Sequence, residues 1–486
     1  MNNLYVIGVL GKLMTAYAAT MLLPLLFAWY TNDGAAAGFA YAALVTLAAG
    51  LFGIWRGNVK NNSLKAREGY IIMMAVWLLA SFFGALPFVF TGALPSYVDA
   101  AFETISSLTT TGASVVNNWD ALPDSIILWR SLMHWLGGMG IVVLFVAVLP
   151  GLGINAFNLL KMELAGGAPE KLAPRIKDTA LRLWTIYAVF TFTEMFLLYL
   201  AGMTPFDAVV HAISTTATCG FSHHSSSIAY YDNTAIELIL FFSMVLAGGN
   251  YALYAHAWHR GWRQIFKNTE FKIYLSFIAI TALLVAINLY FIAKVPAAQA
   301  LLDSFFQIAS FTTTTAFTTE NIDLWPPFSR KILFFLLFVG ACAGSTSGGI
   351  KFSRFIILFK ASWVWLKKML HPRMVTSVHL DKKPVDNATV VSVLQFFFLY
   401  MVTFVAATLL ISFTAPLHPF ETLGLAAASL GNVGVGFGVI GPASSYAVLP
   451  NTTKIISSIC MLLGRLELVP VLIFLMPEFW RRQRGW

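Results

Sequence analysis

Charge is scarce in this sequence. Asp, Glu, Lys and Arg make up 11% of its 486 residues and hydrophobic residues 58%, whereas a soluble domain carries roughly 25% charge. With a mean hydropathy of +0.74, that scarcity excludes soluble-enzyme, DNA-binding and secreted-scaffold classes. Cysteine is rarer still. Cys219, Cys342 and Cys460 are far apart in apolar or Gly-rich surroundings, and supply neither a disulfide framework nor a zinc spacing. No His-Glu-x-x-His motif and no clustered carboxylates on the cytoplasmic loops are present, which removes support for an intramembrane enzyme.

The formal net charge of +9 is unevenly spread. Basic residues gather at Arg56 to Arg67, Lys161 to Arg182, Arg260 to Lys272, Lys351 to Lys383 and Arg481 to Arg484, while many acids lie in the alternate segments. The positive-inside bias puts these patches in the cytoplasm, together with the N- and C-termini, and an orienting role accounts for the basicity without nucleic acid.

Ten spans are expected: 4–30, 36–55, 70–91, 126–150, 181–202, 235–258, 271–293, 331–365 (interrupted), 388–414 and 452–476. The first two form an N-terminal hairpin; Lys12 is too central for a clean signal peptide. Four further stretches are too short and too rich in Thr, Ser and Gly to cross, yet too apolar for free loops. They run from Asp99 to Gly112, Asp207 to Gly220, Asp303 to Ala316 and Glu421 to Gly434. Each opens with an acid 13 positions before its last residue, and two positions before that end stands Thr110, Thr218, Thr314 or Asn432. Such offsets define an internal repeat. The implied fold is an all-α polytopic membrane protein with fourfold pseudo-symmetry, each unit being helix, re-entrant pore helix plus filter, helix. Its division is 1–64 for the hairpin, then repeats at 65–165, 166–265, 266–375 and 376–486.

The acids Asp99, Asp207, Asp303 and Glu421 are expected to cap short helices whose partially negative C-termini point to mid-membrane. The segments that follow are then extended, and non-helical backbone at that depth is tolerated only when buried or lining a watery cavity. Four such strands supply rings of carbonyls that replace the hydration shell of a weakly hydrated monovalent cation, for which potassium is the natural candidate. The interrupted span contains Gly344, Ser345, Thr346, Ser347, Gly348 and Gly349 and ends at Lys351. Unwound backbone there suits a movable obstruction, with a packing kink as the alternative. Arg465, an ionisable residue within a span, is expected to face the pore or a partner, an ion pair with Glu467 or Glu194 being the alternative.

With these residues in view, the sequence resembles the potassium-translocating subunits of the TrkH/KtrB superfamily over nearly its whole length, and the leading hairpin favours the TrkH side. Leu128 to Val143 (LWRSLMHWLGGMGIVV) and Ala343 to Lys351 (AGSTSGGIK) look like two signatures of that family. The resemblance implies a filter at Thr110-Thr111-Gly112, Thr218-Cys219-Gly220, Thr314-Thr315-Ala316 and Asn432-Val433-Gly434. It also implies a gate loop at Gly344 to Gly349 and a place for Arg465 just cytoplasmic of the filter. Potassium would be the substrate, with no organic cofactor. A homodimer in a bacterial inner membrane, with a cytosolic nucleotide-binding ring of the TrkA/KtrA type as partner, is likewise implied. Ala316 stands where the family pattern has Gly.

Other patterns carry less. Gly436 to Gly441 matches the dinucleotide fingerprint without a surrounding βαβ unit, and Gly344 to Lys351 lacks the ending of a phosphate loop. His223-His224 reads as a pair on a solvated loop near the outer mouth. Asn61, Asn387 and Asn451 open glycosylation-like triplets, the first two on the assigned cytoplasmic side. An ion-coupled or sodium-permeable carrier remains the rival to a potassium pore, although carriers usually show a twofold repeat.

Overall fold

The computed structural model describes residues 3–57, 66–140, 176–374, 376–381, 383–442 and 444–481. The second half of the span expected at 126–150, with the end of the first signature motif and several basic residues (Lys60, Lys65, Lys161, Lys171, Arg175, Lys382, Arg482 and Arg484), lies outside them.

Helices dominate because apolar runs this long leave backbone groups no partner but their own chain. Among the described residues, six helices are long and apolar enough to cross a membrane, or up to eight if each bent pair is one span. The six are Asn3–Thr31, Ala36–Arg56, Arg67–Phe90, Ala180–Leu200, Thr269–Ala293 and Asn387–Thr414. A two-residue antiparallel ladder pairs His379–Leu380 with Lys383–Pro384 in the link that precedes the last of these.

The N-terminal hairpin is held by close backbone approach. A side chain at Gly11 would meet Ile54 N at 2.5 Å and the Gly50 carbonyl at 2.7 Å, so these helices touch through their small residues. The hairpin's turn is tied to the next layer, because one Asp33 carboxylate oxygen accepts the Ser125 N–H at 3.1 Å.

Two spans expected to be straight are bent. Thr234–Ala247 and Tyr251–Trp258 meet at 92°, and Asn451–Arg465 and Val469–Leu475 at 115°. At the first bend Asn250 caps a new helix, accepting from Ala252 N at 2.9 Å and Leu253 N at 3.2 Å, and so satisfies donors that a break exposes. At the second, Glu467 and Leu468 both have positive φ, 56° and 57°, and reverse the chain. The interrupted span is broken as expected: Pro327–Leu336 and Phe352–Leu370 are separate helices. Their connection is pinned by Gly340 N to Ile350 O at 2.9 Å and Ile350 N to Phe338 O at 3.0 Å.

Candidate functional site

The four re-entrant candidates each contain a short helix: Tyr97–Leu108, Pro205–Thr216, Ala297–Thr312 and Pro419–Gly431. Of the acids at their starts only Glu421 takes part in a cap, its carboxylate accepting the N–H of the capping residue His418 in a capping box. Ser96 and Thr204 cap the first two, accepting from Asp99 N and Asp207 N, and His418 caps the fourth, accepting from Phe420 N. Asp303 lies beyond the first turn of its helix. Most of the acids instead reach toward a neighbour. Asp99 pairs with Lys454 at 2.7 Å, Asp207 with His223 at 3.0 Å, and Asp303 accepts from Gln299 at 2.9 Å. Glu421 accepts from His418 N at 3.1 Å and Val439 N at 3.2 Å. Asp99 and Asp207 have a cation or an imidazole within reach and leave the cap to Ser96 and Thr204, whereas Glu421 shares the cap with His418.

Beyond each helix the backbone repeats itself. The first triplet positions, Thr110, Thr218, Thr314 and Asn432, have φ of 55°, 54°, 57° and 54°. The third positions, Gly112, Gly220, Ala316 and Gly434, have 82°, 69°, 63° and 78°. The second-position N–H groups turn back onto the helix: Thr111 to Ser106 O at 2.8 Å, Cys219 to Ser214 O at 2.9 Å, Thr315 to Ser310 O at 2.8 Å and Val433 to Ala428 O at 2.9 Å. The first-position N–H groups bond similarly, to the carbonyls of Ser107, Thr215, Phe311 and Ser429. Among the described residues, no hydrogen bond reaches the carbonyls of the first two positions of any triplet, though those residues are buried. Buried carbonyls without a donor are rare. Ala316 keeps the left-handed conformation of its glycine counterparts, so the third segment is not extended at this position as the sequence suggested.

Consecutive triplets adjoin. A side chain on Gly112 would collide with the Cys219 carbonyl, one on Gly220 with the Thr315 carbonyl, and one on Gly434 with the Thr111 carbonyl. Behind the first triplet lies a fully buried ion pair, Arg130 Nε to Glu103 Oε1 at 2.5 Å. Arg130 also donates to the Gly112 and Ala113 carbonyls at 3.3 and 3.1 Å, and Glu103 accepts Val115 N at 2.9 Å. Tyr446 Oη donates to the Gly434 carbonyl at 2.9 Å, and the Asn432 amide donates to Thr111 Oγ1 at 3.0 Å and Met461 O at 2.9 Å. Sequence reasoning passed over Arg130 and Glu103. The signal was available: the rule that singled out Arg465, an ionisable residue in an apolar segment, applies equally to them.

The loop from Gly344 to Gly349 crosses the ends of the short helices. Thr346 Oγ1 donates to Thr216 O at 3.1 Å, Gly348 N donates to Thr314 Oγ1 at 2.9 Å, and Gly344 O accepts Tyr251 N at 3.2 Å. Ser345 and Ser347 hydroxyls bond at 2.8 Å, Lys351 Nζ donates to Ser347 O and Oγ, and a side chain on Gly349 would meet Gly340 N at 2.8 Å. Glu270, another residue sequence reasoning missed, accepts Ala343 N at 2.7 Å and Ser353 N at 3.0 Å, and so fixes both ends of the loop. Arg465 joins loop to triplet: its guanidinium donates to Thr346 O at 2.7 Å, Thr110 Oγ1 at 3.2 Å, and the Gly137 and Gly138 carbonyls at 2.5 and 2.7 Å. Glu467 pairs with Arg354 at 2.5 Å.

His223 and His224 are not on a freely solvated loop. Their side chains are 7% and 12% exposed, and both face Asp207. Burial, and then the neighbouring His223, hold the His224 imidazole below its ordinary pKa.

A multi-pass helical membrane protein with an unwound, Gly-rich loop beneath four repeated backbone turns belongs to the transporters rather than to enzymes. The profile of the TrkH family, described as cation transport protein, matches residues 37–482. The Trk system potassium uptake protein TrkH of Salmonella typhimurium is 36% identical over 477 residues, 97% of this chain and 98% of the relative. The Trk system potassium uptake protein TrkG of Escherichia coli is 34% identical over 478 residues, 97% of each chain. The crystal structure of the potassium transporter TrkH from Vibrio parahaemolyticus superposes with a TM-score of 0.90 at 34% identity, covering 99% of this chain and 100% of that one. The chain belongs to the TrkH family of cation transport proteins.

Removing one member of the buried Arg130–Glu103 pair leaves the other charge unpaired, so Glu103→Gln is expected to cost about 3–5 kcal/mol. The double change Arg130→Met with Glu103→Leu is expected to cost less. Thermal unfolding of the detergent-purified proteins checks the order; a Glu103→Gln protein as stable as the parent contradicts it.

Proposed function

We propose that the chain takes up potassium across the bacterial inner membrane through a channel-like pore of fourfold pseudo-symmetry, the four triplets forming its filter and potassium being substrate rather than cofactor. The observation that carries this reading is the set of buried, undonated carbonyls at the first two positions of every triplet. Carbonyl dipoles gathered without carboxylates suit a weakly hydrated monovalent ion better than a divalent one. The order of contacts, first triplet to second, second to third and fourth to first, is that of a ring around one axis. On this reading the repeats run 65–165, 166–265, 266–375 and 376–486 behind the hairpin 1–64, and the short helices enter from the outer face. The relatives' own names as potassium uptake proteins and a potassium transporter point the same way.

The loop Gly344 to Gly349, with Lys351 and Arg465, is the gate on the cytoplasmic side. It is held by separate hydrogen bonds, to the main chain at Thr216, Ala247 and Tyr251 and to the side chains of Thr314, Lys351 and Arg465, rather than by a helix of its own, so it can shift by exchanging them. Arg465 adds a positive charge close to Thr110 that opposes a cation on the axis. The basic link ending at Lys383 is the docking face for a cytosolic nucleotide-binding ring of the TrkA/KtrA type, and two chains form a homodimer in the lipid, each with its own pore.

Liposomes containing the purified chain are expected to accumulate rubidium, a potassium surrogate, down its gradient. Arg465→Ala, and deletion of Gly344 to Gly349, should raise basal uptake severalfold. Failure of rubidium and potassium to enter even with the ring partner present refutes the pore; parent-like uptake in both variants reduces the loop to a packing kink.

Ala316 is the third filter position that carries a Cβ, held at φ 63°. A left-handed backbone costs a non-glycine residue roughly 1–2 kcal/mol. On the ring order its methyl group lies toward the fourth triplet, where it crowds the carbonyl that each glycine clears. Ala316→Gly is therefore expected to improve potassium over sodium discrimination, and about 1.4 kcal/mol of difference would change the permeability ratio tenfold. Reversal potentials in mixed ions measure it; an unchanged ratio means that the ring accommodates the methyl group.

A further inference from the structure

The segment just beyond the second triplet holds a cluster that ion conduction does not use. Asp207, His223 and His224 each offer one ligand atom, and these atoms lie within 4.8 Å of one another. His223 Nε2 is 3.0 Å from Asp207 Oδ1, and His224 Nε2 is 4.0 Å from Asp207 Oδ2. Ligands at about 2.0–2.2 Å from a tetrahedral zinc ion stand roughly 3.3–3.6 Å from each other. The two separations run to different oxygens of the Asp207 carboxylate and lie on either side of that spacing, so gathering one oxygen and both imidazoles on a single ion takes a rotation of the carboxylate as well as of the rings.

We propose that Asp207, His223 and His224 form a binding site for a zinc-class divalent transition metal on the outer face, with the fourth position left to water. Two imidazoles and one carboxylate favour zinc, cobalt or nickel over calcium and magnesium, which take oxygen ligands. The surroundings are already ordered for such an ion. His224 Nε2, the ring atom that faces Asp207, is buried without a hydrogen-bond partner. His224 Nδ1 lies 3.5 Å from Asp120 Oδ1, the carboxylate-to-imidazole contact that orients a metal-bound histidine from behind. Its ring stacks on Tyr230 with centroids 3.6 Å apart, and the Asp207 main chain is fixed by Thr204 Oγ1 at 3.1 Å and by His211 Nδ1 at 2.8 Å. Asp120, whose side chain is 59% exposed, marks the approach from bulk water.

A metal here ties the loop that follows Gly220 to the start of the second short helix, and adds positive charge beside the cation entrance. External zinc then slows cation entry. That consequence rests on the proposed potassium pore, whereas the metal site itself does not.

Calorimetric titration of the tag-free, detergent-purified chain with zinc chloride, with cobalt absorption as a second readout, tests the site. One zinc ion per chain is expected, with tetrahedral cobalt bands, and His223→Ala and His224→Ala should each weaken binding at least about tenfold. Absence of zinc binding in the parent, or parent-like binding in both variants, overturns the proposal. Rubidium uptake into liposomes should fall at least twofold with external zinc in the parent and hold steady in His224→Ala. Insensitivity of the zinc-binding parent overturns the control of flux; no rubidium uptake without zinc, even with the ring partner present, refutes the pore and leaves the binding result to stand for the site.

Discussion

The structure depends on one constraint: inside a membrane a backbone carbonyl can lack a protein donor only where water or a cation takes that place, and the N–H groups of the same residues must still be satisfied within the protein. The four short helices meet that requirement in the same way. Each receives the N–H groups of the first two triplet residues, as Thr110 and Thr111 bond to Ser107 and Ser106, which leaves the carbonyls of those residues free of the helix. This geometry needs positive φ at the first and third triplet positions, and all four segments have it. Thr, Asn and Ala adopt there a conformation that glycine takes without strain. The cost persists only because the surroundings enforce it.

That enforcement differs among the four units. The first is backed by the buried Arg130–Glu103 pair, the fourth by Tyr446 and the Asn432 amide, and the second by His211 Nε2 bonded to Ser222 at 3.0 Å. In the third, Ser310 Oγ donates to Phe317 O at 2.7 Å and Gln307 donates to Thr319 at 3.3 Å. The first and third units share two supports, Ser106 to Ala113 O with Ser310 to Phe317 O and the hydroxyl pairs Thr109–Thr111 and Thr313–Thr315, while the remaining side-chain supports differ. An equal backbone does not require equal supports, and divergence among the four units is free to add local features such as Ala316 or the His223–His224 cluster.

Much of this was legible in the sequence, because the repeat is written in chemistry that has few alternatives. A Thr-x-Gly or Asn-x-Gly at a fixed distance from an acid, between long apolar runs, leaves little room for another reading, and the interruption at Gly344 to Gly349 could not be one helix. What the sequence hid was partnership. The capping role assigned to Asp99 and Asp207 went to Ser96 and Thr204, since only the folded chain brings Lys454 and His223 within reach of those acids. The bends after Ala247 and Arg465 were missed because their flanks are apolar enough to pass for continuous helices. Two adjacent histidines looked solvated for a similar reason: the carboxylate that gathers them lies elsewhere in the chain.

The account stands or falls on whether the undonated carbonyls hold the ion. Crystals of the protein grown with rubidium in place of potassium, measured at the rubidium absorption edge, test this directly. An anomalous peak enclosed by the triplets beginning at Thr110, Thr218, Thr314 and Asn432, at carbonyl distance from all four, is the predicted result. Anomalous density confined to other parts of the protein, with the four triplets well ordered, would contradict it.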